Sequence, residues 1–159
     1  MASTITASTL KVTIREDIKL NGVDHGGVNT LSIGSINEIS KRIVTVTTTE
    51  AVIATFSSAV ASAGHYVAAD VRYIRFTNLD DTNFITLTFR NQDNDEVAIK
   101  LDAGQSFIWN GDNANGMTLV FNATQDADAA SSTNFGSLTN IQADANTASC
   151  DLEMFIASV

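Results

Sequence analysis

The chain has 159 residues, 44% of them hydrophobic, a formal charge of −9, one cysteine and no proline. A chain of that length can bury a core without metal or disulfide staples, and its hydrophobic share excludes a disordered polymer. One domain is the expectation, over residues 1–159, with a short N-terminal arm of about residues 1–8.

The charge is unevenly placed. Residues 1–100 hold eleven acidic and nine basic residues, net −2, whereas residues 101–159 hold seven acidic and no basic ones, net −7. Phosphate backbones and anionic membrane surfaces are bound largely through Lys and Arg, so no nucleic-acid and no membrane partner is expected. No segment approaches the about 18–20 apolar residues of a membrane span. The opening MASTITASTLKVTIRED has no basic stretch followed by an apolar run, so a secretion leader is not expected.

In chain order, Leu10, Val12 and Ile14 alternate with Lys11, Thr13 and Arg15, the pattern of a strand with one buried face. Asn21-Gly22 is a strong two-residue turn signal, and a loop at His25-Gly26-Gly27 follows it. Leu31–Ile36, Ile43–Thr48 and Val52–Ser57 read as further strands, the second of them rich in β-branched residues. Ser57–Ala69 is built of small residues and suits one helical turn or a loop between sheets.

Val71–Trp109 carries the clearest pattern. Four alternating runs are cut at Leu79-Asp80-Asp81-Thr82, at Asn91–Asp95 and at Asp102-Ala103-Gly104. The sets Ile74/Phe76, Ile85/Leu87/Phe89 and Val97/Ile99/Leu101 are predicted to face the core. A strand at Met117–Asn122, a polar excursion at Asp126–Ser137 and a last strand at Cys150–Ala157 complete about ten strands. Short strands at this spacing predict an all-β chain, a single antiparallel β-sandwich of jelly-roll-like or immunoglobulin-like type.

Chemistry is harder to find. His25 and His65 have no metal-ligand spacing. Asp93, Asp95 and Glu96, in the run Asn91–Glu96, cluster oxygen ligands and are the weak cation candidates, although Asp and Asn are also ordinary turn residues. No nucleophile elbow or phosphate-binding glycine loop is present. Neither a catalytic site nor a cofactor is expected, and the chain reads as a non-enzyme. Cys150 alternates with Leu152, Met154 and Ile156 and reads as a buried thiol. Trp109, Tyr66 and Tyr73 suit core packing better than a sugar-stacking platform.

The segment YIRFTNLDDTNFITLTFRNQDNDEVAIKLDAGQSFIW resembles small β-structured virion proteins of tailed bacteriophages, especially those of marine bacteria and cyanobacteria. The resemblance rests on Arg75–Asp80, the Asn83–Phe89 strand and the corner Lys100–Phe107, and spans about forty of the 159 residues. It implies a structural virion component. The expected role is a capsid decoration or cement protein, made in the host bacterial cytoplasm. It would bind the major capsid protein on the capsid exterior as a trimer or dimer. A tail, neck or fibre-attachment component is the first alternative, and a carbohydrate-binding host-adhesion module the second.

Overall fold

A computed structural model describes residues 5–60, 62–110 and 138–159. The expected strand at Met117–Asn122 and the expected excursion at Asp126–Ser137 lie outside these residues. The chain is all-β, with thirteen strands among the described residues, and it divides into two compact units, Met1–Glu38 with Val159, and Ile39–Ser158.

The first unit is a long antiparallel ribbon. β1 (Ser8–Glu16) pairs with β4 (Gly27–Ile36), and a short second ladder joins β2 (Lys19–Leu20) to β3 (Val23–Asp24). Asn21 and Gly22 turn β2 into β3 with φ of 51° and 81°. Positive φ at both central residues is the hairpin geometry that Asn-Gly favours. Gly26 serves a close approach, since a Cβ there would lie 2.4 Å from the Glu16 carbonyl oxygen. Near the other end, β4 carries one extra residue opposite β1, a bulge at which Ser35 takes a φ of 62°.

The second unit is a two-sheet sandwich. One sheet runs in the order β10 (Glu96–Leu101), β9 (Ile85–Asn91), β12 (Leu138–Ala145), β6 (Ala51–Ser57), β7 (His65–Val67). The other runs β11 (Ser106–Trp109), β8 (Val71–Asn78), β13 (Cys150–Ser158), β5 (Glu38–Val46). Inward faces of both sheets form one core, with Ile74, Phe76, Leu152, Met154 and Ile156 from one and Ile85, Leu87, Phe89 and Ile141 from the other. Phe89 meets Phe107 edge to face across it, with ring centroids 5.5 Å apart. Cys150 is buried, as its alternation predicts.

Two features depart from the sequence reading. Ile74, Phe76, Ile85, Leu87, Phe89 and Leu101 are buried, but Ile99 is half-buried and Val97 is 39% exposed. β10 is the edge strand, so only part of its inward face is covered. Ser57–Ala69 contains β7, which pairs with β6 in parallel, Thr55 opposite His65 and Phe56 opposite Tyr66. Gly64 makes the tight return possible with a φ of 86°, and Thr55 N–H donates to its carbonyl at 2.9 Å.

The turns are held by side chains that the sequence marks. Asp80 Oδ1 accepts from the Thr82 and Asn83 main-chain N–H groups at 2.8 and 2.6 Å. These bonds favour the ionised carboxylate and hold the Asp80 pKa below its ordinary value. Asn78, fully buried, donates from Nδ2 to the Asn83 and Leu101 carbonyls and accepts at Oδ1 from Asp80 N–H. One amide thereby pins the β8–β9 turn to the end of β10.

Candidate functional site

The weak cation candidates are already engaged. Asn91 Oδ1 accepts from the Asp93 and Asp95 N–H groups at 2.9 and 2.8 Å, and Asn91 Nδ2 donates to Asp95 Oδ2 at 3.0 Å. Glu96 is ion-paired with Arg90. The run is thus a turn closed by its own side chains, and no group of three or more metal-ligating side chains occurs among the described residues. Tyr66 is a core side chain packed on Phe56, Tyr73 is buried edge to face against Phe155 on the other face of its sheet, and Trp109 lies half-buried against the core. The three aromatics therefore form no exposed stacking platform.

The cations of the first hundred residues are partly spent within the fold. On the outer face of the β11-β8-β13-β5 sheet, Glu153 takes Lys41 Nζ at 3.1 Å and also Arg75. Hydrogen bonds from both cations lower the Glu153 pKa. Arg15 pairs with Asp17 and Lys100 with Asp102. Among the described residues, Lys11, Lys19, Arg42 and Arg72 have no ion pair. The basic first hundred residues and the acidic remainder thus meet in space at Glu153, where Lys41 and Arg75 neutralise a carboxylate of the last strand.

What remains is the ribbon. Alternation places Leu10, Val12 and Ile14 on one face with their partners Ile33, Leu31 and Asn29, and Lys11, Thr13 and Arg15 on the other. Burial along the apolar face falls toward the turn. Ile33 is buried, Leu10 and Val12 are half-buried, and Ile14 is 45% exposed. At the tip, Ile18, Leu20 and Val23 are 53%, 60% and 58% exposed. Leu20 and Val23 stand directly opposite each other, and Lys19 and Asp24 occupy the alternate face. Turns are normally polar, so three large apolar side chains around Asn21-Gly22 are the sequence signal for this tip. The alternation of Leu10–Arg15 and the Asn21-Gly22 turn signal, taken separately, pass over it.

A two-stranded ribbon is marginally stable by itself in water, and exposed apolar side chains at its tip favour association. The arrangement offers contact area and main-chain edges. Comparison with protein-family models, with curated proteins and with solved structures finds no match to this chain.

Proposed function

We propose that the chain is a non-enzymatic virion structural protein of a tailed bacteriophage that decorates the capsid exterior and stabilises it, with the β1–β4 ribbon as its attachment element. The observation that carries this reading is the ribbon tip, where Ile18, Leu20 and Val23 lie exposed beside Lys19, which has no ion pair among the described residues. Burying three aliphatic side chains on the major capsid protein would contribute about 1.5–3 kcal/mol each before the cost of association. Trimer or dimer formation would multiply that by placing several tips on one lattice. The sandwich of Ile39–Ser158 then serves as the rigid body that bridges neighbouring capsomers.

The test compares wild type with the triple variant Ile18→Ser, Leu20→Ser, Val23→Ser for co-sedimentation with capsids lacking this protein. Loss of binding with an unchanged sandwich spectrum is the expected result. Equal binding by the variant would remove the ribbon from the mechanism. Location of the chain in a single low-copy ring at the portal or tail would replace decoration with the tail or neck role.

A further inference from the structure

Arg42 stands on β5, the edge of one sheet, and its Nη2 donates to the main-chain carbonyl of Ile53 on β6 in the opposing sheet. Gly64 passes close to the guanidinium, so that a Cβ there would lie 3.2 Å from Nη2 and 3.5 Å from Nη1. Arg42 Nε is buried and has no hydrogen-bond partner among the described residues. Among the described residues, no carboxylate pairs with this side chain. An unsatisfied buried donor costs about 1–3 kcal/mol, and buried polar groups are nearly always bonded. A charged group without an anion beside it is the stronger exception.

The same guanidinium lines a cavity of about 370 Å³ with Val52, Ile53, Ala63, Gly64 and His65. That is within the size range of small-ligand sites. Its walls are partly aliphatic, and among the described residues no acidic side chain lines it. β7 covers β6 only from Thr55 onward, so at Ile53 the side of β6 toward β7 is open and Arg42 occupies part of it.

We propose that this cavity binds a carboxylate carried on a short apolar stem. The Nη N–H groups that Ile53 leaves free on Arg42 receive the carboxylate oxygens, and the aliphatic wall at Val52 and Ala63 receives the stem. A planar guanidinium edge matches a planar carboxylate with two parallel hydrogen bonds. One arginine supplies one positive charge, which suits a monoanion better than a phosphate dianion. At a net charge of −9 the chain does not gather anions non-specifically, so occupancy reflects the local geometry. Two sources share this chemistry, a free monocarboxylate and a Glu side chain of a protein. The inference concerns the sandwich alone and stands independently of the virion reading.

The experiment follows the arginine Nε–Hε resonances of the full ¹⁵N-labelled chain at constant ionic strength. Sodium butyrate is added in one arm and the capped peptide acetyl-Gly-Glu-Gly-amide in the other, with sodium phosphate as the comparison anion. The expected result is a saturable shift of the Arg42 resonance in at least one carboxylate arm, larger than that of Arg72, with a weaker phosphate response. The arm that saturates at the lower concentration identifies the source. Arg42→Gln should abolish the effect on neighbouring main-chain signals, Arg72→Gln should retain it, and Gly64→Ala should weaken binding severalfold by crowding the guanidinium. The proposal is overturned if Arg42 fails to saturate in both arms, if it shifts no more than Arg72, or if phosphate binds better. The wild-type resonances decide this even where Arg42→Gln does not fold.

Discussion

Phe89→Ala tests the core of the sandwich most directly. Phe89 is 5% exposed, stands opposite Val97 on β10 and Ile141 on β12, and meets Phe107 from the facing sheet. A buried phenylalanine removes roughly 150–250 Å² from water, or ~4–6 kcal/mol at about 25 cal/mol per Å². Alanine retains part of that surface and the cavity relaxes in part, which brings the expected cost to about 3–5 kcal/mol. Val97→Ala is the internal control. Its side chain is on the same core face but 39% exposed on the edge strand, so about 1 kcal/mol is expected. Trp109, the single tryptophan, lies on β11 in the sheet opposite Phe89 and reports unfolding of Ile39–Ser158 by fluorescence. Urea titrations should show the midpoint falling with the slope unchanged. Equal costs for the two variants, or a Phe89→Ala cost below about 1.5 kcal/mol, would refute the placement of β9 at the centre of the core.

Asn78→Ala should cost about 1–3 kcal/mol in the same assay, because it leaves the Leu101 and Asn83 carbonyls without their donor. Asp80 has a lowered pKa in the fold, so its contribution is present above the ordinary aspartate pKa and is lost as pH falls through the depressed value. An acid titration should therefore narrow the stability gap between wild type and Asp80→Ala. Asp144 has the opposite sign, since burial and then the nearby Glu50 raise its pKa. Asp144→Asn should raise the unfolding temperature at neutral pH, with the gain vanishing below the ordinary aspartate pKa. Cys150 is buried and its pKa raised, so a thiol reagent should label it slowly in the folded chain and rapidly once the chain is denatured.

The parts of the fold legible in the sequence are those set by short-range chemistry. Asn21-Gly22, Asp80 and Asn91 lie in turns that they themselves stabilise, and the alternation through β8 and β9 marks their buried faces. Alternation does not distinguish a central strand from an edge strand, and so it places Val97 inside. It also carried no information on pairing partners. The parallel match of β6 with β7 depends on Gly64 and a return through residues of no strong preference. The Arg42 cavity joins β5, β6 and the Gly64 turn, three segments whose proximity is a tertiary fact. Exposed Leu20 and Val23 were visible only as apolar residues flanking a turn, and their exposure needed the structure.

The strand order has a consequence for synthesis. β12 lies between β9 and β6, and β13 between β8 and β5, so both late strands occupy the interior of a sheet. Translation at about 5–20 residues per second separates Asn91 from Leu138 by roughly 2–9 s. A hairpin needs only ~1–10 μs to form, so β8 and β9 wait on the ribosome for a time that is long on the folding clock. During that interval the gaps reserved for β12 and β13 are open edges on strands as apolar as Ile85–Phe89. Nascent chains on one message would then offer one another the same vacancies. Domain-swapped dimers should thus form most readily when translation stalls between β11 and β12, and slowing that stretch with rare codons should raise their yield.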